Sequence, residues 1–195
     1  LPFHICPAQR ENHISMVEID RAILESLPNA SLEELEELEK KCFFSTFDHK
    51  VAFGLGCQTR TWAMELFPQK PVVIDISLPG GQCLFHATTA SGTVLDNDIW
   101  IQRKKNTVFR FGHSSFYMGR KLSLKGGKTV EEAMYVSSKE YAVHGGAVPI
   151  KLESSDTIVA CLTVSGLRQE VDHLLAVTAI VEYANRLLQT DLNLD

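Results

Sequence analysis

The chain lacks an apolar run long enough to cross a membrane, and it lacks an excess of basic residues. A membrane-spanning helix needs about 18 or more consecutive apolar residues, so we expect no direct membrane insertion. The 195 residues include 24 acidic and 19 basic side chains, and the net charge of −5 argues against a general nucleic-acid binder. Residues 1–15 contain no long apolar segment, which argues against a secretory signal.

Closely spaced cysteines are also missing. Because no two cysteines lie close together in the sequence, there is no local zinc-binding pair. Their number is also odd, so the sequence gives no disulfide framework. Reduced thiols are the simplest interpretation, and we therefore expect a cytoplasmic protein without a metal site. The five cysteines are Cys6, Cys42, Cys57, Cys83 and Cys161.

The hydrophobic content of 45% suits one folded unit with a real core. Residues 1–15 hold two prolines and show no apolar periodicity, so they are predicted to form an irregular extension. The folded unit is expected over residues 16–189, and an acidic tail over residues 190–195. Helices come first, then a hairpin, more helices, further strands and a last helix. This order predicts an α+β fold and not a doubly wound sheet.

Several local patterns predict individual elements. Ser31 with Glu34, and Thr129 with Glu132, have the spacing of capping boxes that begin helices. Helices are also predicted over residues 48–66, from a cap at residues 96–98 to about residue 110, after residue 115, and over residues 168–189.

The strand predictions depend on alternation and on turn residues. Apolar alternation in VVIDISL indicates a half-buried strand. A turn at Pro79-Gly80-Gly81 connects it to a second strand, CLFHATT, and the two strands are predicted to form a hairpin. Pro149 places AVPIKLE on a sheet edge, because proline cannot donate to a ladder. TIVACLTVS is the most apolar strand and is predicted to be central.

The stretch of residues 96–118 has the highest density of functional side chains. It could supply caps, an ion pair and an oligomer contact, or bind an anionic ligand through its guanidinium groups, or place a histidine beside a serine nucleophile. The basic run Arg103-Lys104-Lys105 is interpreted as a solvated face. His144, which precedes two glycines, is added to this set from outside the stretch. The candidates for a ligand pocket or oligomer contact are therefore Asp96, Asn97, Asp98, Trp100, Arg103, Arg110, His113, Ser114 and His144.

Two weaker patterns remain. Gly54 and Gly56 resemble half of a dinucleotide-binding fingerprint, but they lie in a helical pattern and are better explained by close helix packing. His173 could join His113 and His144 in a metal site, although their spacing does not require one. No complete catalytic motif is present, so we expect a binding module and not an enzyme.

The last five residues combine carboxylates with two leucines: Asp191, Leu192, Asn193, Leu194 and Asp195. They are similar to the acidic C-terminal peptides of cytosolic chaperones, which tetratricopeptide-repeat domains grip through a basic clamp. The alternative is a frayed and solvated end.

The segments VVIDISLPGGQCLFHATT, LDNDIWIQRKKNTVFRFGHSSFYMG, HGGAVPI and TVSGLRQEVDHLLAV resemble the GlcG/HbpS-like, or haem-degrading-domain, family. The resemblance is to its group of small cytosolic proteins from bacteria and fungi, and the tail suggests a fungal member. It implies a profilin-like fold, with an antiparallel sheet of about five strands flanked by helices, and a homo-oligomer.

The resemblance also implies a function. Some members bind or degrade haem, but no residue here matches an established haem ligand, so no cofactor is expected and haem or small-ligand binding is the alternative. The fungal group implies a tetratricopeptide-repeat co-chaperone as partner, which assists the targeting of tail-anchored proteins to membranes.

Overall fold

A computed structural model describes residues 19–192, which contain seven α-helices and five strands. The helices are α1 (Arg21–Ser26), α2 (Leu32–Glu39), α3 (His49–Leu66), α4 (Leu95–Phe111), α5 (Ser115–Ser123), α6 (Val130–Met134) and α7 (Gln169–Leu192). The strands are β1 (Phe43–Phe44), β2 (Val73–Ser77), β3 (Cys83–Thr88), β4 (Ala147–Leu152) and β5 (Ser155–Ser165). The predicted extension, residues 1–15, lies outside the described residues.

The five strands form one sheet in the order β1-β4-β5-β2-β3. β2 and β3 make the predicted hairpin, and β5 lies at the centre as predicted. The α+β class and the strand number are confirmed. The sheet is mixed and not wholly antiparallel, because β1 pairs with β4 in parallel. Two residues are too few to show a period, so the sequence gives no signal for β1.

β4 is the second strand of the sheet, so its predicted edge position is wrong as stated. Pro149 pairs with Cys161 on β5. On the other side, β1 pairs only with Lys151 and Leu152. The proline therefore occupies a part of β4 that β1 does not reach, where a missing N–H costs no ladder bond.

β2 is buried along its whole length, and the prediction of a half-buried strand is wrong. Ile74 and Ile76 belong to the main core, which α3 and α7 share. Asp75 and Ser77 point to the opposite face, because successive side chains of a strand alternate. There they meet α4 and are buried as well. The alternation of apolar and polar side chains in β2 thus reflects two buried faces of the strand, one covered by α3 and α7 and the other by α4.

The main core lies between one face of the sheet and helices α3 and α7. The two glycines of α3 make that close packing, as expected. A Cβ atom on Gly54 would lie 1.9 Å from the hydroxyl of Tyr183, and one on Gly56 would lie 2.3 Å from the ring of Phe85. A second core joins α2, α5, α6 and the beginning of α7.

Helix ends agree with most of the predicted caps. Both capping boxes form. At α4, however, the cap is Val94, and the three predicted capping residues lie inside the first turn. α7 ends at Leu192, so it continues beyond the predicted end at residue 189.

Candidate functional site

α4 carries most of the candidate residues, and its inner face is unexpectedly polar. Lys104 and Lys105 are only 3% and 8% exposed, so the prediction of a solvated basic face is wrong for these two residues. Each ammonium group reaches a different buried aspartate. The helix therefore rests on the sheet through two charge pairs as well as through apolar contacts around Val108.

The first pair joins Lys104 to Asp172 at the beginning of α7. The lysine Nζ lies 3.1 Å from the carboxylate and donates to the backbone oxygen of Val164. Asp172 also accepts bonds from the backbone N–H groups of Gly166 and Leu167. Burial lowers the pKa of Lys104 and raises that of Asp172, because both groups lose hydration. This pair fixes α4 against the turn between β5 and α7.

The second pair centres on Asp75 in β2. Its Oδ1 accepts a bond from Ser77 Oγ at 2.7 Å and another from Lys105 Nζ at 3.3 Å. Lys105 also donates to Ser77 at 3.0 Å. Only Oδ1 is used in this way, so the other carboxylate oxygen can serve different partners.

Asp75 Oδ2 faces two side chains of β3. His86 Nδ1 lies 3.0 Å away and Cys83 Sγ lies 3.7 Å away. The donor atoms of these three residues all lie within 4.8 Å of one another. His86 Nε2 in turn lies 3.2 Å from Asp98 on α4. Imidazole, thiol and carboxylate thus meet at an exposed edge of the sheet.

The beginning of α4 uses the predicted residues in different ways. Asn97 Oδ1 accepts a bond from the N–H of Val94 at 2.8 Å. Asp96 and Asp98 lie in the first turn, where a negative charge suits the helix dipole. Asp98 has the further contact with His86.

Trp100, Arg103 and His144 form a second predicted group that the fold brings together. The guanidinium carbon of Arg103 lies 4.4 Å from the centre of the Trp100 ring. The His144 ring meets the indole edge-on at 5.0 Å. Burial, followed by the charges of Lys104 and Arg103, lowers the pKa of His144. These contacts fix the loop before β4 against α4.

A groove of about 670 Å³ runs along the outer side of α4. Arg103 and Arg110 both line it, as the ligand hypothesis requires. Arg110 stacks near Phe111 and Tyr141, at 5.7 and 5.8 Å from their ring centres. His144 lines a separate cavity of about 300 Å³, so the predicted pocket is divided.

His113 and Ser114 share one acidic partner, Glu39. His113 Nδ1 lies 3.0 Å from one carboxylate oxygen, and the N–H of Ser114 donates to the other at 2.8 Å. The His113 ring stacks on Tyr117 at 4.0 Å. Ser114 Oγ caps α5 by accepting a bond from the N–H of Tyr117. The arrangement ties α2 to α5 and engages the serine oxygen as a helix cap.

The three histidines considered for a metal site have separate surroundings. His173 is fully buried and stacks on Phe116 at 4.8 Å. His113 contacts Glu39, and His144 contacts Trp100. Among residues 19–192, the one group of three candidate metal donors is the set on the hairpin.

Asp75, His86 and Lys105 are not among the candidate residues that the sequence patterns indicated. The hairpin prediction contained a usable signal for the first two, because a two-stranded register places Asp75 directly opposite His86. Nothing local marks Lys105 as their partner, since it lies 30 residues from Asp75 along the chain.

The tail residues lie at the end of α7. Asp191 and Leu192 are its last helical residues, and Asn193, Leu194 and Asp195 lie outside the described residues. Within residues 19–192, no helix combines the length and the apolar character that a membrane span requires.

Comparison with known proteins identifies the family. A family model described as "Haem degrading protein HbpS-like" matches residues 47–181. A UPF0303 protein of Saccharomyces cerevisiae, YBR137W, is 58% identical over 182 residues, which cover 92% of this chain and 100% of that protein. This relative is fungal, as the resemblance implied.

Comparison with solved structures agrees with this family assignment. The crystal structure of the Ybr137w protein superposes with a TM-score of 0.83 at 57% identity, and covers 87% of this chain and 99% of that chain. The structure of a PduOC:heme complex has a TM-score of 0.57 at 16% identity, covers 72% of this chain and 96% of that chain, and supports the fold alone. The chain therefore belongs to the HbpS-like family of haem-degrading-domain proteins.

Proposed function

We propose that this protein is a cytosolic, homo-oligomeric interaction protein whose C-terminal residues bind a tetratricopeptide-repeat co-chaperone that assists the targeting of tail-anchored proteins. The observation that carries the proposal is the course of α7. Up to residue 190, Ala184 is the last buried residue of the helix, whereas residues 188–190 are exposed. A partner can therefore reach the end of α7 without disturbing the core.

The chemistry of the tail suits a basic clamp. Asp191 and Asp195 supply carboxylates, and Leu192 and Leu194 supply apolar anchors around Asn193. Leu192 ends the helix, so a clamp that takes an extended peptide must first unwind the last turn. The cost of unwinding this turn and of ordering the peptide in the clamp keeps the affinity of a single tail modest, on the order of micromolar.

The outer side of α4 supports self-association. Val94, Leu95 and Ile99 are 65%, 75% and 47% exposed, and Ile99 lines the groove with Arg103 and Arg110. Apolar side chains grouped beside cations are typical of an interface between subunits. A second copy of the chain is the occupant that the family resemblance implies.

Light scattering tests the oligomer. The wild-type chain is expected to exceed the 21.7 kDa of one subunit at micromolar concentration, and Ile99→Asp is expected to lower the mass towards that value. Leu124→Asp is the control, because Leu124 is also an exposed apolar residue but follows α5. A wild-type mass of one subunit contradicts the proposal.

Pull-down with a purified tetratricopeptide-repeat domain tests the tail. Deletion of residues 192–195 is expected to abolish capture while the mass and the thermal midpoint stay unchanged. A control chain with the five tail residues in a different order keeps the charge of the tail but changes the positions of the leucines. It distinguishes binding that depends on the leucine positions from binding that depends on charge alone. Added salt is expected to weaken capture, because charge supplies much of the contact.

Cytosolic placement is part of the same proposal. Cys42, Cys57, Cys83 and Cys161 are all free thiols in the structure. Free thiols suit a reducing compartment.

The second candidate function is ligand binding in the groove of α4. Its volume falls in the usual range for small-molecule sites, and Arg103 and Arg110 suit carboxylates. The fit to haem iron is poor, since Tyr141 alone among the lining residues is of a type that ligates it. A haem titration is expected to show weak binding. A tight one-to-one complex lost on His113→Ala or His144→Ala would favour haem instead.

A further inference from the structure

The side chains of Asp75, Cys83 and His86 lie together on the β2–β3 hairpin, and none of the three lines the groove. We propose that they bind one divalent cation of the zinc type, with a fourth coordination position open to solvent. Cys83 and His86 are exposed and Asp75 is buried, so the three donors form the floor of an accessible site.

Two of the distances between donor atoms come within about 0.3 Å of those in a tetrahedral site, and all three donors lie within 4.8 Å of one another. Zinc bonds of about 2.0–2.1 Å to nitrogen or oxygen, and about 2.3 Å to sulfur, place neighbouring ligand atoms roughly 3.3–3.6 Å apart. His86 Nδ1 and Asp75 Oδ2 are 3.0 Å apart, and Cys83 Sγ and Asp75 Oδ2 are 3.7 Å apart. Small side-chain adjustments would bring all three onto one ion.

A second observation points to the same ligand. Metal-bound histidines nearly always place their other ring nitrogen against a carboxylate, a backbone carbonyl or a water molecule, which fixes the tautomer and the ring orientation. His86 does this in the structure, since its Nε2 lies 3.2 Å from Oδ1 of Asp98. Nδ1 is thereby aimed at the place where the ion would lie.

The carboxylate is oriented in the same manner. Ser77 and Lys105 both donate to Oδ1 of Asp75, which leaves Oδ2 directed at Cys83 and His86. Lys105 also compensates part of the negative charge of a site that contains a thiolate and a carboxylate. On coordination, the thiol proton of Cys83 leaves to solvent and the sulfur bonds to the ion.

The donor set selects the class of metal. Sulfur and imidazole nitrogen suit zinc and its chemical neighbours, whereas calcium and magnesium take oxygen ligands. Three protein ligands with an open position are the pattern of zinc sites that bind a water molecule or a substrate. Cobalt(II) adopts the same geometry and gives a visible spectrum, which makes it the probe.

The test is a cobalt titration of the full-length chain, in a non-chelating reductant and after removal of metals with a chelator. We expect one Co²⁺ per chain, a thiolate-to-cobalt charge-transfer band, the strong visible bands of tetrahedral cobalt, and displacement by Zn²⁺. Cys83→Ser is expected to abolish the charge-transfer band. The double variant Cys6→Ser/Cys57→Ser is the matched control and should keep it.

Two further variants address the surrounding residues. Asp98→Asn leaves all three ligands in place and is expected to weaken Co²⁺ affinity by about ten- to a hundredfold. His86→Gln should weaken it at least as much. Thermal midpoints of the metal-free variants check that each still folds. The proposal is overturned if the wild-type chain gives no tetrahedral cobalt spectrum, or if Cys83→Ser gives the same spectrum as the wild type.

Discussion

Two adjacent lysines in α4 are buried, and each is paired with a different aspartate. Removing the hydration of the ions costs several kcal/mol for each one, which the attraction within the pair must offset. The Lys104–Asp172 pair meets this condition with additional bonds to Val164, Gly166 and Leu167. At the residue scale, we therefore expect substitution of these buried charged residues to lower the free energy of unfolding strongly.

Replacement of Lys104 by Met tests that pair. The change leaves the carboxylate of Asp172 buried without its cation, so the free energy of unfolding should fall by about 3–5 kcal/mol. Adding Asp172→Asn removes the uncompensated charge and keeps an acceptor for the backbone, so the double variant should recover about 2 kcal/mol. Urea denaturation measures both effects, and simple additivity of the two losses would contradict the explanation.

His173 makes stability depend on pH. Complete burial lowers its pKa from near 6.5 to about 4, and within the described residues neither ring nitrogen has a hydrogen-bond partner. The folded state therefore keeps the neutral ring, while the unfolded chain takes up a proton below pH 6.5. The contribution is fully present above pH 6.5 and is lost as the pH falls towards about 4, at up to about 1.4 kcal/mol per pH unit.

The variant His173→Phe isolates this effect. Phenylalanine can keep the stacking on Phe116 and cannot be protonated. We expect the variant to lose less stability than the wild type between pH 6.5 and 4.5, when unfolding free energies are compared in urea. The same pH profile for both proteins would show that His173 is not the group responsible.

At the scale of elements, α3 packs closely through its glycines. A Cβ atom at position 56 would lie 2.3 Å from the Phe85 ring, so Gly56→Ala should lower the free energy of unfolding by about 1–3 kcal/mol. Gly80→Ala is the control, because a Cβ there has nothing within 4 Å and should change stability by less than about 0.5 kcal/mol. Equal effects at both positions in thermal or urea melts would refute the packing argument.

The elements that the sequence predicts well are those with local signals. Capping boxes at Ser31 and Thr129, the hairpin and the central strand β5 all follow from patterns within a few residues of each other. The two-residue β1 and the burial of Lys104 and Lys105 do not. Those features depend on partners far away in the chain: Asp172, for example, is 68 residues from Lys104.

The candidate site shows the same limit. Sequence density indicated residues 96–118, and several of them do contact one another, such as Trp100 with Arg103. The fold nevertheless distributes the set between the beginning of α4, the groove and the Glu39 contact of His113. Density along a chain cannot reveal which side of a helix faces the sheet and which side remains outside.

At the scale of the whole molecule, the folded unit is expected to be independent of residues 1–15. Their sequence has no periodic apolar face to bury. Deleting them should therefore leave the thermal midpoint nearly unchanged in a calorimetric scan. A decrease of more than a few degrees would mean that the segment docks on the core.

An oligomer that carries several tails should bind a clustered co-chaperone more tightly than one subunit does. If several tails engage at once, the apparent affinity should rise by roughly ten- to a hundredfold without any new contact. The proposed subunit interface on α4 and the proposed binding residues of the tail would then be two separate requirements of one activity.

The most direct test is a calorimetric measurement of binding to a dimeric tetratricopeptide-repeat co-chaperone. The intact chain, the Ile99→Asp chain and a chain without residues 192–195 are compared. We predict tight binding for the first, binding weakened by roughly ten- to a hundredfold for the second, and none for the third. Unchanged affinity in the truncated chain would contradict it.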